Sequence, residues 1–268
     1  FSMVNIKDQE SMSVVSEKFS YSINQKEIFN DVSFELNQGE IISVIGPNGA
    51  GKSTLLSILS GDVNPTLGSV LYNGENINDI DIQDRAFMRS VMSQAQQIIF
   101  DFSVREIIEM GWIERGDSYF SNDFETAIID VAKECDLMNL MNRQFNVLSG
   151  GEQKRVHYAR TLLQLWRPSK SKDPRYMFLD EPTASLDLFF EMKLMNSIKH
   201  KSKNGYGILV IIHDLNLAAN FSDKILFLNK GNVVSFGEPR SVLNEKDLSE
   251  VYKIAMQVDK SNLRISYY

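Results

Sequence analysis

The chain has 268 residues, of which 43% are hydrophobic and 24% are charged, and its formal net charge is −7. This length and composition predict one elaborated globular domain or two small ones, and the negative charge argues against a general nucleic-acid binder, because affinity for a phosphate backbone comes from clustered Lys and Arg. Cys135 is the only cysteine, which excludes an intrachain disulfide and a cysteine-based metal cluster.

The first part of the chain predicts strands. Residues 12–36 alternate polar and apolar side chains on either side of the polar turn 24–27, a pattern typical of antiparallel strands. Residues 40–45 form a short apolar run with β-branched members, which predicts a strand buried on both faces. This strand leads directly into Gly46, and a further strand is predicted over 69–74.

A mostly helical insert is predicted next. Three segments have helical spacing, and Ser103 with Glu106 matches a capping box at the start of the first. The segments are 103–112, 122–138 and 151–166.

The alternation of strand and helix that is typical of a parallel sheet returns after the insert. Apolar runs at 176–181 and 207–214 predict two buried strands, each followed by a helical segment. Residues 224–237 predict a hairpin that turns at 230–232, and a short helix is predicted over 247–255. The order of elements predicts an α/β fold with a mixed or mainly parallel sheet and antiparallel strands at its N-terminal side.

A phosphate-binding loop stands between the predicted strand 40–45 and a helix. Residues 46–54 read GPNGAGKST and match G-x-x-x-x-G-K-[ST] in the strand–loop–helix context that its mechanism requires. Backbone N–H groups of such a loop wrap a β-phosphate, Lys52 reaches the β- and γ-oxygens, and Ser53 is placed to hold Mg²⁺. A structural glycine-rich turn is a weak competitor. The residues predicted to bind nucleotide here are Gly46, Pro47, Asn48, Gly49, Ala50, Gly51, Lys52, Ser53 and Thr54.

Two carboxylates and a histidine end the two later strands. Asp180 and Glu181 close the run 176–181, at the sheet edge where ligands bind in open α/β folds. Asp180 is predicted to bind Mg²⁺ through water, and Glu181 to polarise the water that attacks a γ-phosphate. The alternative, a pair of acids that cap the next helix, would be favoured without the phosphate loop upstream. His213 ends the neighbouring strand, and we prefer a role as γ-phosphate sensor over a structural one.

Together these motifs resemble the ATP-binding-cassette ATPases over nearly the whole chain. The phosphate loop is followed by LSGGE at 148–152, FLDEPTASLD at 178–187 and a strand-ending histidine, and LSGGE is specific to that family. The resemblance implies a P-loop NTPase core with an N-terminal antiparallel β subdomain and an inserted α-helical subdomain. The implied single cassette, 1–268, divides into a nucleotide-binding core of 1–94 and 166–268 and a helical signature subdomain of 95–165.

The resemblance also implies roles for further residues. Gln94 is implied as the Q-loop residue that coordinates Mg²⁺, in preference to the nearby Gln96 and Gln97, and Asp187 belongs to the D-loop. An aromatic residue that stacks on adenine is expected before the first core strand. The usual spacing falls on Ile23, and Tyr21, two residues away on the same strand face, is the predicted substitute.

A second phosphate-gripping segment in one chain implies a second copy of the chain. Lys52, Asp180 and Glu181 handle charge on one side of the nucleotide, and little in the chain is placed to cover the other side of the γ-phosphate. In the family, the signature of a second subunit does so, through Ser149, Gly150, Gly151 and their helix N-terminus. Two copies would thus hold two ATP molecules between them in a head-to-tail homodimer.

Among such cassettes, the segment 167–175, RPSKSKDPR, before the catalytic strand resembles an extra loop in the ATPase subunits of bacterial haem importers. The related ATPases for ferric siderophores or cobalamin usually lack it. No apolar run approaches the roughly 20 residues that span a bilayer, and no signal-peptide layout begins the chain. We therefore expect a soluble subunit at the cytoplasmic face of the inner membrane. Two separate permease subunits would be its partners, with a periplasmic or surface haem-binding protein acting indirectly.

Two other function classes are weighed. Soluble cassette ATPases that act on DNA carry a long heptad coiled coil between phosphate loop and signature, and ribosome-acting ones carry two cassettes in one chain; neither feature is present. A GTPase is disfavoured because Asn229, Lys230, Gly231 and Asn232 include no Asp to read guanine, and LSGGE would be unexplained.

Overall fold

The computed structural model describes residues 12–24, 26–93, 98, 100–112, 121–168 and 173–268. Within these ranges, the strands are β1 Ser13–Ile23, β2 Lys26–Asn37, β3 Ile41–Ile45, β4 Leu67–Tyr72, β5 Glu75–Asn76, β6 Arg89–Met92, β7 Arg175–Asp180, β8 Tyr206–Ile211, β9 Lys224–Asn229, β10 Asn232–Gly237, β11 Met256–Asp259 and β12 Arg264–Tyr267. The α-helices are α1 Lys52–Leu59, α2 Ile82–Met88, α3 Val104–Glu109, α4 Phe124–Glu134, α5 Gly150–Gln164, α6 Leu188–Lys203, α7 Leu215–Phe221, α8 Pro239–Val242 and α9 Glu245–Tyr252.

The central sheet has six strands in the order β10-β9-β3-β8-β7-β6. Strands β9, β3, β8, β7 and β6 run parallel, and β10 pairs antiparallel with β9 at one edge. A second sheet, β2-β1-β4-β5, is antiparallel throughout. The predicted fold class, an α/β core with an N-terminal antiparallel sheet, is therefore confirmed.

Alternate side chains of the central strands belong to two separate apolar cores, one on each face of the sheet. Ile41 and Ile45 of β3 join a cluster that includes helices α3, α4 and α5, whereas Ile42 and Val44 join a cluster with α1 and the antiparallel sheet. Because both faces of β3 are covered, all of its residues are buried. The apolar run that predicted a strand buried on both faces has this physical origin.

The three predicted helical segments are confirmed as α3, α4 and α5, with shorter bounds. Both α3 and α5 begin with a reciprocal capping box, formed by Ser103 with Glu106 and by Ser149 with Glu152. The far end of α4 is attached to α6 of the core by the ion pair Lys201 to Glu134, at 2.8 Å, and by the pair Lys193 with Asp136. The predicted division into 1–94 with 166–268 and 95–165 stays a prediction.

Strand order places the predicted chemistry at one edge of the central sheet. Strand β8 lies between β3 and β7, and all three run parallel, so their carboxyl ends meet at the same edge. The phosphate loop follows β3, Asp180 ends β7 and His213 follows β8. Topology alone thus brings together three segments that are far apart in the sequence.

Candidate nucleotide site

The loop 46–51 joins the buried strand β3 to helix α1. Gly51 is the residue before the helix, with φ of 103°, and it offers no side chain to cap the first N–H groups. A Cβ on Gly51 would lie 2.7 Å from the ring of Phe29, so only glycine fits here without movement. The first turn of α1 also contains no acidic residue. The helix therefore begins with N–H groups and a positive dipole end available to an anion.

Lys52 is folded onto its own loop. Its ammonium Nζ donates hydrogen bonds to the carbonyl oxygens of Gly46, at 2.8 Å, and of Pro47, at 3.1 Å. Burial lowers the pKa of Lys52, while the nearby carboxylates of Glu181 and Asp180 act in the opposite direction. The ammonium is therefore desolvated next to two acids, where a phosphate oxygen would add a further acceptor.

Asp180 is a buried carboxylate with an unused oxygen. Its side chain accepts a hydrogen bond from Ser53, yet burial outweighs this bond and raises the pKa of Asp180. Atom Oδ1 makes no hydrogen bond within the described part of the chain. Asp180 and Ser53 are hard oxygen donors side by side, as Mg²⁺ requires, with an oxygen free to bind it through water. No group of three or more His, Cys, Asp or Glu side chains converges among the described residues, so nucleotide and water oxygens would have to complete the coordination.

Glu181 and His213 contact each other directly across the ends of β7 and β8. The Nε2 atom of His213 lies 2.5 Å from Oε1 of Glu181. The His213 side chain is about half exposed, at 48%, whereas that of Glu181 is 16% exposed. The Glu181 carboxylate is thus held by the imidazole of His213, which faces the open side of the sheet edge. A water molecule could lie between these two side chains and a bound phosphate.

The signature segment begins helix α5 and faces the D-loop of the same chain. Ser149 caps the helix, and its hydroxyl donates to Oε2 of Glu152 at 2.8 Å. A cleft of about 400 Å³ lies between the signature and the loop that leads into α6. Its lining includes Ser149, Gly150, Gly151, Ser185, Leu186 and Asp187. The structure therefore joins the predicted signature and D-loop residues in one open concave surface.

Two predicted residues are not part of the cluster that the structure forms at the sheet edge. Gln94 lies outside the described residues, so its role stays a prediction. Tyr21 is partly buried against the core cluster that contains Phe29 and Ala50, while Ile23 is exposed at 46%. The choice between Tyr21 and Ile23 as the adenine contact also stays a prediction.

Asp187, the predicted D-loop residue, caps helix α6. Its carboxylate accepts a hydrogen bond from the N–H of Phe190 at 2.9 Å.

Sequence reasoning missed two side chains that touch the site. Lys154, on the second turn of α5, donates from Nζ to the backbone oxygen of Glu181 at 3.3 Å. Tyr252, at the end of α9, stacks on Phe227 of β9 with 6.0 Å between ring centroids, and the main chain of Gly46 hydrogen-bonds its hydroxyl. Lys154 belongs to a polar run after LSGGE, and Tyr252 to a tail with no motif. Neither position carried a signal in a single sequence.

Comparison with known proteins agrees with this geometry. Residues 29–184 match the ABC transporter family, which is more than half of the chain, and the chain therefore belongs to that family. It carries the family's ATP-binding cassette and hydrolyses ATP. The described residues include no helix long and apolar enough to cross a bilayer.

Relatives with known names cover almost the whole chain. The hemin import ATP-binding protein HmuV of Escherichia coli O157:H7 is 38% identical over 242 residues, which is 89% of this chain and 91% of that protein. The protein of the same name from Rhodopseudomonas palustris is 36% identical over 244 residues, with 91% and 89% coverage.

Solved structures show the same fold. A metal-chelate type ABC transporter in an inward-facing conformation matches with a TM-score of 0.75 and 25% identity over 96% of both chains. The dimer of a bacterial ABC transporter cassette matches with a TM-score of 0.73 and 26% identity, over 84% of this chain and 98% of that one.

Proposed function

We propose that the chain is the ATPase subunit of an importer that takes up haem through separate membrane permease subunits. The single observation that carries the ATPase chemistry is the cluster at the sheet edge, where the phosphate loop, Asp180, Glu181 and His213 meet. The cargo rests on the two relatives named hemin import ATP-binding proteins, at 38% and 36% identity.

Each residue of the cluster has one task in this proposal. Lys52 leaves the loop carbonyls and binds β- and γ-phosphate oxygens, together with the N–H groups at the start of α1. Glu181 orients the water and accepts its proton as the water oxygen attacks the γ-phosphorus. The bond from that phosphorus to the bridging oxygen breaks, and ADP leaves with the electron pair. His213 holds Glu181 and senses the γ-phosphate.

Ser53, Asp180 and Gln94 would hold Mg²⁺ beside the phosphates. The unpartnered Oδ1 of buried Asp180, and its contact with Ser53, support this assignment. The cation would neutralise charge on the β- and γ-oxygens. Tyr21 would stack on the adenine.

A second copy of the chain completes the site. Ser149, Gly150, Gly151 and Asp187 line an open cleft at the surface, and in the proposed head-to-tail dimer they cover the nucleotide of the partner copy. The N-terminus of α5 then points toward the γ-phosphate and adds the positive end of a helix dipole. ATP thus links the two copies, and its hydrolysis removes the link.

The subunit would lie at the cytoplasmic face of the inner membrane, bound to two permease subunits. Its net charge of −7 supports a protein partner over nucleic acid. A haem-binding protein outside the membrane would deliver the cargo without touching this chain.

A ferric siderophore or cobalamin importer is the second candidate. The likeness to a metal-chelate type transporter, at 25% identity over 96% of both chains, is compatible with this cargo as it is with haem, since all three are metal chelates.

The test is ATP hydrolysis after reconstitution of this chain with a candidate permease and the binding protein of that permease. We expect haem-loaded binding protein to stimulate hydrolysis, and ferric siderophore or cobalamin to leave it at the basal rate. The variant Glu181→Gln, which should not hydrolyse ATP at a significant rate, measures the background of the assay. Stimulation by a siderophore or cobalamin instead of haem would replace the cargo proposal and keep the ATPase.

A further inference from the structure

The backbone of Glu181 adopts an unusual conformation that the surrounding structure must maintain. Its φ is 49°, in the left-handed region that non-glycine residues rarely occupy. The strain places its carboxylate at the end of β7, next to His213. Such a residue keeps its position only if neighbouring groups hold its main chain.

The main chain of Glu181 is held from two directions. Its N–H donates to the carbonyl oxygen of Ile211 on β8, at 3.2 Å, which belongs to the core sheet. Its carbonyl oxygen accepts from the N–H of Ala184, at 3.2 Å, and from Nζ of Lys154, at 3.3 Å. The first two partners are close in the fold to the catalytic strand, whereas Lys154 comes from the signature helix α5.

A charged ammonium group is energetically unfavourable at the position of Lys154, because the side chain is partly removed from water. It is partly buried, and burial lowers its pKa, while Glu181 and Asp180 oppose that effect. These two acids affect Lys52 of the phosphate loop in the same way. The side chain therefore reaches away from its own helix toward the carboxylates of β7.

We propose that Lys154 is a positioning residue for ATP hydrolysis, because its ammonium group bonds the Glu181 carbonyl and thereby fixes the direction of the Glu181 carboxylate. The inference rests on the proposed role of Glu181. Lys154 stands five positions after Ser149 on the same helix, so one rigid element carries both the group that grips the partner's nucleotide and the group that holds the catalytic acid. A shift of α5 at the dimer interface would therefore reach the Glu181 backbone through one hydrogen bond.

The first experiment compares Lys154→Met, which keeps the length and removes the donor, with Lys154→Gln, which returns a neutral N–H donor. The control is Lys133→Met, an exposed lysine on α4 of the same helical region. We expect Lys154→Met to lower kcat about three- to tenfold, as for one lost hydrogen bond, with KM for ATP unchanged. Lys154→Gln should recover most of kcat, and Lys133→Met should match the parent protein.

Three results would overturn the proposal. They are a kcat for Lys154→Met equal to that of Lys133→Met, a Lys154→Gln variant as slow as Lys154→Met, and a loss that appears in KM alone. If Lys154→Met melts too early to be assayed, Lys154→Gln with its kcat near the parent value supports the hydrogen bond, and a Lys154→Gln kcat reduced tenfold rejects it.

The second experiment separates positioning from general damage by a double-mutant cycle. If Lys154 acts only through Glu181, Lys154→Met added to Glu181→Gln should slow single-turnover hydrolysis no further. An additive loss would contradict the inference. The two levels of the proposal also fail separately: normal turnover of Glu181→Gln alone would reject the proposed catalytic role, whereas a slow Glu181→Gln with a normal Lys154→Met would reject only the role of Lys154.

Discussion

At the scale of single residues, the contact between Glu181 and His213 is the most informative feature of the site. The 2.5 Å between Oε1 and Nε2 means that the carboxylate has a hydrogen-bond partner within the chain itself. The imidazole is the more exposed of the two side chains, so a phosphate can reach it from solvent. In the proposed reaction, this arrangement would let the histidine sense the γ-phosphate while it holds the proposed base in place.

We predict that Glu181→Gln retains ATP binding and lowers kcat about 10²- to 10⁴-fold, the range for loss of a general base. The amide keeps the size of the side chain but cannot accept the proton of the attacking water. Nucleotide affinity by fluorescence titration and steady-state hydrolysis would measure the two quantities separately. A variant with parental kcat would refute the assignment.

Removing the charge of the buried Asp180 carboxylate is predicted to have opposite effects on the stability of the fold and on nucleotide binding. Because burial raises its pKa, the ionised form is less favourable in the folded chain than in the unfolded one, and the associated stability is gained as pH falls through the folded pKa. We therefore expect Asp180→Asn to raise the Tm of the nucleotide-free protein at neutral pH by about 2–4 °C. The same change should weaken Mg²⁺-dependent ATP binding, because a charged oxygen donor is lost.

Calorimetry of Asp180→Asn without nucleotide and titration with ATP in the presence of Mg²⁺ or EDTA would test both parts. Glu152→Gln is a suitable control, because Glu152 is a partly exposed capping acid whose pKa is lowered by its hydrogen bonds with Ser149. A lower Tm for Asp180→Asn would mean that the carboxylate is stabilising and would count against a site that awaits a cation.

At the scale of elements, helix α5 combines a structural cap with the proposed grip on the partner's nucleotide. We predict that Ser149→Arg leaves the ATP affinity of a single subunit nearly unchanged and abolishes ATP-dependent dimerisation in the Glu181→Gln background. The bulky cation would fill the cleft that the second nucleotide has to enter. Sedimentation velocity with and without ATP would show the result.

A matched control for Ser149→Arg is available within the chain. Ser103 caps α3 through the same reciprocal bonds with Glu106, so Ser103→Arg has a similar capping cost of about 1 kcal/mol. Ser103→Arg should still dimerise with ATP. If both variants stay monomeric, lost helix capping rather than a blocked interface is the cause.

The elements that the sequence predicted well are those whose own residues determine them. Strands β3, β7 and β8 are apolar runs because both of their faces are covered. The start of α3 was predicted from Ser103 and Glu106 at capping-box spacing, and α5 was predicted from its helical spacing. The hairpin turn at Lys230 and Gly231 has φ of 48° and 78°, as the type I′ turn of a Lys-Gly pair requires.

Elements whose stability depends on distant contacts were missed or misplaced. The hairpin of β11 and β12 was not predicted, because four-residue strands carry too short a pattern, and its Met256, Val258 and Ile265 are buried only against the main core. The helix predicted over 247–255 runs from Glu245 to Tyr252 instead. Asn244 caps it and Lys253 ends it in a left-handed conformation, which propensity alone did not indicate.

The site shows the same limit. Residues within local motifs, such as Lys52, Asp180 and Ser149, could be proposed from the sequence because their spacing is fixed by one loop or one strand end. Lys154 and Tyr252 could not, since their contacts with Glu181 and Gly46 arise only when separate elements pack. No local pattern records that packing.

At the scale of the whole molecule, a catalytic site divided between two copies predicts a complementation test. In a mixed dimer of Glu181→Gln with Ser149→Arg, one site carries both defects, while the other joins the intact sheet edge of one copy to the intact signature of its partner. We expect each pure variant to be nearly inactive and the equimolar mixture to regain hydrolysis, up to about one quarter of the parental rate if copies mix at random and sites work independently.

The control is a second equimolar mixture, in which copies with Glu181→Gln are mixed with copies that carry Lys52→Ala. Both changes lie on the same side of the site, so no mixed dimer contains an intact pair of halves, and the mixture should remain inactive. Hydrolysis that fails to return with Ser149→Arg, under conditions where mixed dimers are shown by tag pull-down, would mean that each copy completes its own site.

The burial of Cys135 makes such assemblies easy to follow. Its thiol is 5% exposed and enclosed by core side chains, and burial raises its pKa well above the ordinary range, so it should resist alkylation in the native protein. The chain contains no other thiol. A cysteine introduced at an exposed position would therefore be the sole target for a maleimide dye, and approach of two copies could be recorded by energy transfer without first removing any native side chain.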